Sequence, residues 1–394
     1  MTKKWVNIAD VLFFQEGPGV RNTQYTTSGV KLLNVANLVD GKVDLSKSDR
    51  YISEEEAYGK YRHFLCDDGD FVIASSGIKV EYIDKKMGFV DASMLPLCMN
   101  TSTIRFKVLD ENQLRIRYFM YYLKSKHFKE QLTKQITGSA QLNYGPSHLK
   151  KMIMPLIDIT VQDEIISCMD KLQSIIETRQ RELIELDRLM KARFVELFGD
   201  PRSNPFGFEK KRLKDTCKVI TGNTPSRAIA EYYGDYIEWI KTDNIVSGIL
   251  NPTQATESLS EKGMNVGRTV EKDSILMACI AGSIASIGRV CITDRTVAFN
   301  QQINAVVPEQ YNILFLYVLF QMSKDYLVED INMALKGILS KSKLEEKEFI
   351  IPPMDLQEQF SDFVKQVNKS KFDTMTFAPI YAIINLYLHT YFYQ

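Results

Sequence analysis

Short apolar runs broken by Gly, Asn and Asp fill residues 1–155. Segments 32–38, 70–76 and 103–109 read as strands, and 39–41, 67–70 and 85–88 as turns. One helix is expected over 111–134, where Leu114, Tyr118, Tyr121, Tyr122, Phe128 and Leu132 follow a loose 3.6-residue period. The pattern then changes. No Pro or Gly occurs in the 38 positions 161–198. Ile165, Met169, Leu172, Ile176, Arg179, Leu183, Leu186, Met190, Arg193 and Leu197 alternate steps of four and three, which is a heptad seam. Arg179 and Arg193 interrupt it, and solvent or a partner's carboxylates are both open to them. Glu177–Arg181 and Asp187–Lys191 are spaced to support the helix from its outer face. Gly199 and Pro201 stop it.

Residues 202–355 return to the mixed pattern, with strands expected at 236–242, 274–280 and 303–308 and a helix over 312–329. The two halves correspond in detail. DFVIA from Asp70 matches DSILMA from Asp273, and LNVANL from Leu33 matches IKTDNI from Ile240. NTSTI from Asn100 matches NQQIN from Asn300, and residues 138–165 match 337–360. An offset of about 200 residues is a duplicated domain, since solenoid repeats have periods of roughly 20–50. A second seam begins at Leu356, Phe360, Phe363/Val364 and Val367, then fades near Phe372. Pro379 interrupts any helix beyond it, and no Lys, Arg, Asp or Glu follows Asp373. The expected organisation is a first mixed domain at 1–155, a helical spacer at 156–199, a second mixed domain at 200–353 and a second helix at 354–394, truncated or altered after about 372. The fold class is α+β: two similar mixed α/β domains separated by long antiparallel coiled-coil helices.

Composition adds exclusions. An apolar fraction of 45% suits packed cores. No window of 18 apolar residues suggests a membrane span, and the N-terminus has no secretory pattern. Six scattered cysteines and four isolated histidines show no zinc spacing, so no metal site is expected and the compartment is the reducing cytoplasm. A net charge of zero places any nucleic-acid contact on local basic faces. Phosphate-loop, dinucleotide and nucleophile-elbow motifs are missing, and Asn204-Pro205-Phe206 lacks the second proline of an adenine-methyltransferase element. No catalytic residue is assigned. Domain–helix–domain–helix without catalysis is the plan of a ruler. A 38-residue helix is about 57 Å long, enough to set two domains on successive major grooves.

The stretch from Phe194 to Phe208, FVELFGDPRSNPFGF, resembles the central conserved region of type I restriction–modification specificity (S) subunits. IPPMDLQEQ from Ile351 is similar to their entry to a second conserved helix, and 155–164 is a looser copy. The likeness covers about residues 1–372. It implies two target recognition domains, each reading half of a bipartite site in duplex DNA, and helices that dock two methyltransferase (M) subunits. Restriction (R) subunits join through the complex. S-adenosylmethionine, ATP and Mg then belong to the partners, with no cofactor in this chain. The fading tail departs from the family and puts full assembly in question.

Base edges and phosphates are met by Arg, Lys, Asn, Gln, Ser, Thr and Tyr in turns. In the first domain the candidates are Arg21, Asn22, Ser75, Ser76, Lys79, Gln141, Asn143 and Tyr144. In the second they are Asn223, Thr224, Arg227, Lys241, Ser283, Lys336, Ser340 and Lys341. Asn100 and Asn300 sit at matching points, where a turn role competes with contact. The competing functions are a coiled-coil adaptor without DNA, an inactive specificity variant, and an S-like domain belonging to a methyltransferase–nuclease enzyme.

Overall fold

The computed structural model describes residues 3–136, 143–331 and 337–375, together with 384, 386 and 390–392. It divides into two compact units, Met1–Glu177 with Phe377–Gln394, and Thr178–Thr376.

The first unit is built on four antiparallel strands: β1 (Leu12–Glu16), β2 (Phe71–Ala74), β3 (Met87–Phe89) and β4 (Thr103–Val108), in the order β1-β4-β2-β3. All four residues of β2 are buried, so FVIA reads as a continuous apolar run rather than an alternation. The second unit repeats the plan with β5 (Cys217–Thr221), β6 (Ile275–Ala278), β7 (Val290–Ile292) and β8 (Ile303–Pro308), ordered β5-β8-β6-β7. Each unit adds a parallel pair, Val30–Leu33 with Leu97–Met99 in one and Ile237–Ile240 with Val297–Phe299 in the other. The repeat seen in the sequence is therefore a repeat of topology.

The single helix expected over 111–134 is two: α1 (Ile116–Lys124) and α2 (Lys126–Gln135). Ser125 between them is extended, and its Oγ accepts from the Phe128 backbone N–H at 3.2 Å. A serine that caps a new helix start ends the old helix where the apolar period alone would carry it on.

Helix α3 (Ile159–Phe198) is unbroken over 40 residues. Its buried positions are Gln162, Ile165, Met169 and Ile176 in the first unit and Met190, Phe194 and Phe198 in the second. The heptad register fails at the C-terminal end. It selects Arg193 and Leu197, but the fully buried side chains are Phe194 and Phe198. A straight helix drifts about 20° per heptad against a 3.5-residue repeat, so over four heptads the buried face moves on by one residue. Arg179 and Arg193 pair with Glu182 and Glu196 of their own helix, each at 2.8 Å. Asp187 pairs with Lys371 instead of Lys191.

In the second unit the last turns of α3 run antiparallel to α5 (Met354–Met375) beside α4 (Ile313–Met322). Phe194 and Phe198 each lie 5.5 Å from Phe360, and Phe198 lies 4.8 Å from Phe315 of α4. Asp187, eleven residues before Phe198, meets Lys371, eleven residues after Phe360. In the first unit the equivalent aromatic face of α1 is met by the tail. Phe392 is completely buried, 5.2 Å from Tyr118 and 5.6 Å from Tyr122, and Ile384 and Tyr391 pack on the same core. The uncharged aromatic tail, which the sequence marked as altered after about 372, is thus core-forming at Phe392. Among the described residues no helix is long and apolar enough to cross a membrane.

Candidate nucleic-acid interface

A shared backbone frame places the polar turns. Gly17 and Gly222 follow the first strands of the two sheets and donate to the carbonyls of Thr103 and Ile303 at 2.9 and 3.0 Å. A Cβ at either would lie 2.1–2.2 Å from the carbonyl oxygen of Asn100 or Asn300, so only glycine fits. Asn100 and Asn300 are buried and donate backbone N–H to Leu33 and Ile240 at 3.1 and 3.0 Å. The next residue after each of those strand ends, Asn34 or Lys241, opens a 3-10 turn, and its N–H donates to Asn37 or Asn244 Oδ1. Asn37 and Asn244 occupy one structural role twice, as do Asn100 and Asn300.

What the frame carries differs between domains. In the first, Asn34 Oδ1 accepts from Asn100 Nδ2 at 2.8 Å, and Asn34 Nδ2 donates to Leu32 O and Ser48 Oγ. In the second, Lys241 Nζ donates to Glu257 Oε1 at 2.5 Å, and Arg227 Nη2 donates to Glu257 Oε2 at 2.6 Å. The Arg227 guanidinium lies 4.4 Å from the Tyr233 ring and 5.2 Å from Trp239, and Lys241 Nζ lies 5.0 Å from Trp239. Hydrogen bonds from Lys241 and then Arg227 hold the Glu257 carboxyl below its ordinary range.

The candidate residues fall into distinct groups. Arg21 and Asn22 are exposed at the turn after the first-domain Gly17 segment. Ser76 bridges Asn143 across a β-bridge, which brings two candidates together, and donates to Ser102 Oγ at 2.6 Å. Lys79 is exposed, and with Lys85 and Lys86 it lines a shallow depression around Tyr82. Ser75 and Tyr144 are buried and used within the fold: Ser75 Oγ donates to Glu16, and Tyr144 OH donates to Ala74 O at 3.0 Å. Burial raises the Tyr144 hydroxyl well above its ordinary pKa.

In the second domain Asn223, Arg227 and Lys241 gather around Trp239, whose Nε1 donates to Asn223 O at 3.3 Å. Thr224 is exposed and donates to Gln301. Asn223 Nδ2 donates to Val266 O at 2.8 Å, and its buried Oδ1 has no hydrogen-bond partner among the described residues. Ser283 is exposed and contacts Ser286 Oγ at 3.0 Å. Ser340 caps the short helix Lys341–Glu346 by accepting from the Lys343 N–H, and Lys341 pairs with Glu345 at 3.5 Å. These two therefore serve a helix start, at some remove in sequence from the Trp239 group. Gln141 and Lys336 lie outside the described residues.

Besides the sequence candidates, the structure groups basic side chains with aromatic rings at Tyr25, Lys31 and Arg50 in the first domain, and sets Tyr233, Trp239 and Glu257 around Arg227 in the second. Arg50 lies 5.2 Å from the Tyr25 ring, and Lys31 lies 5.3 Å from Tyr51 while pairing with Asp49 at 2.9 Å. The available signal was the run of aromatics Tyr232, Tyr233, Tyr236 and Trp239 between Arg227 and Lys241. All six cysteines are free, and burial pushes the thiols of Cys66, Cys98, Cys217, Cys279 and Cys291 up to about 12.

The model of the type I restriction modification DNA specificity domain matches residues 18–188 and again 205–379. The HindI specificity subunit of Haemophilus influenzae is 33% identical over 146 residues, which are 36% of this chain and 31% of that protein. The MjaIX specificity subunit of Methanocaldococcus jannaschii is 24% identical over 302 residues, 71% of this chain and 68% of that one. A type I S subunit structure from M. genitalium covers 100% of this chain and 96% of its own, with 14% identity and a TM-score of 0.58. A chain from a structure addressing complex assembly and conformational transition of the type I R-M system gives 98% and 97% coverage, 15% identity and a TM-score of 0.55. With the family model matched twice, once on each topological repeat, the chain belongs to the type I restriction modification DNA specificity family.

Proposed function

We propose that this chain is the DNA-recognition subunit of a type I restriction–modification complex, reading one half of a bipartite duplex site with each domain. The observation that carries the reading is one frame furnished with two chemistries. Where the first domain sets the neutral amide of Asn34, bonded to the shared Asn100, the second sets Lys241, joined to Arg227 through Glu257. Identical scaffolds with different donors suit two unlike half-sites, because base identity is read by donor and acceptor pattern. The chain itself catalyses nothing in this reading. Two methyltransferase subunits dock on the helical segments and bring S-adenosylmethionine, and restriction subunits bring ATP and Mg. A cytoplasmic location goes with these partners.

The test is methylome sequencing of cells carrying this gene and its methyltransferase partner. A bipartite, asymmetric methylated motif is expected, and exchanging residues 200–353 for those of another family member should change one half of it. If both halves changed, or if no methylation depended on this gene, the proposal would fail.

A further inference from the structure

We propose that the second domain reads a guanine through Arg227, with Glu257 and the Tyr233/Trp239 rings as its positioning residues. This rests on the DNA-recognition reading above and names its chemistry in one half-site.

Three features converge on Arg227. It is exposed, while the groups that hold it are not: Trp239 is buried, and Glu257, Tyr233 and Lys241 are half-buried. Stacking on Tyr233 and Trp239 and a hydrogen bond from Nη2 to Glu257 hold the guanidinium plane from two directions. Arg227 Nη1 and Nε donate to no group among the described residues. Glu257 takes one hydrogen of Nη2, and the other lies parallel to a free hydrogen of Nη1 or Nε on the open edge, which gives the two donors that match guanine O6 and N7. Sharing Glu257 between two cations leaves the trio Arg227, Lys241 and Glu257 with one net positive charge, which keeps the patch attractive to DNA. Lys241 stands where the first domain has Asn34, so the difference lies on the frame common to both domains. Nothing in the first domain's amide pair offers the same fork.

The experiment uses the full chain assembled with its methyltransferase partner. Binding is measured to the methylated motif and to duplexes changed one base pair at a time. The wild-type assembly should discriminate about 10- to 100-fold against loss of one G·C pair in the second domain's half-site. In Arg227→Ala that discrimination should fall to about 3-fold or less, with the other positions unchanged. Arg227→Lys keeps the charge without the fork and should not restore it, which decides the matter even if the alanine variant misfolds. Glu257→Gln should lose most of the discrimination without weakening binding to the altered duplexes. A uniform loss of binding across all duplexes, with the salt slope lowered by about one, would make Arg227 a phosphate contact and overturn the proposal. Discrimination unchanged in both Arg227 variants would overturn it equally. If the wild-type assembly itself binds no duplex in preference to another, the DNA-recognition reading falls first.

Discussion

Replacing Phe392 by alanine should destabilise the first domain and leave the second untouched. The ring is completely buried, which is worth roughly 1.5–3 kcal/mol for a large apolar side chain. Its neighbours Tyr118 and Tyr122, at 5.2 and 5.6 Å, add about 0.5–1.5 kcal/mol each. Partial collapse of the site around the truncated side chain opposes this, so a net loss of about 3 kcal/mol is expected, within the roughly 3–5 kcal/mol range for deleting a buried Phe. For a domain of this size that corresponds to roughly 6–12 °C in the midpoint of unfolding. Two domains do not unfold as one state, so hydrogen exchange resolved by peptide is the assay. Peptides from α1 should open more readily by about 100-fold, while those from α4 keep their protection. Phe360→Ala, the equivalent lesion beside Phe194, Phe198 and Phe315, should do the reverse. Phe392→Leu should recover more than half of the loss. Unchanged exchange in α1, or equal loosening of both domains, would refute the assignment of the tail to the first domain's core.

Arg105→Met should cost about 1–3 kcal/mol, because the carbonyls of His63 and Leu65 lose their buried donor while Asp70, which is 2% exposed, keeps Lys107 at 3.2 Å; the urea midpoint of the first domain measures this. Gly222→Ala should cost about 1–3 kcal/mol, since the new Cβ would sit 2.2 Å from Asn300 O, and chemical shifts around Asn300 should move with it. Burial, followed by nearby Lys3, lowers the His127 pKa below its ordinary 6.5. The unfolded chain therefore takes up the proton first, so this contribution to stability is present above pH 6.5 and lost as pH falls through the lowered folded value. His127→Gln should flatten the first domain's stability profile as pH falls below 6.5, and an unchanged slope would contradict the cause.

Much of this protein was legible in the chain itself. The duplication needed no structure, because the same backbone frame demands the same residues twice: a glycine where a carbonyl presses close, an asparagine where a turn must be bonded. Strands β2, β4, β6 and β8 were plain because their burial is set by local apolar runs. The long helix was plain because nothing in 161–198 can break it. What only the tertiary structure decided depends on distant partners. Which face of α3 is buried at its end is set by Phe315 and Phe360, against which 3.6-residue geometry turns Phe194 and Phe198 and not the heptad positions. Ser75 and Tyr144, polar residues in turn-like sequence, are core because Glu16 and the Ala74 carbonyl receive their hydrogen bonds. Glu257 joins Arg227 and Lys241 across 30 and 16 residues, a pairing no local pattern encodes. Phe392 finds Tyr118 across 274 residues of sequence. A periodicity measures only how a segment could bury one face; which face is buried, and against what, is fixed by the surface it meets.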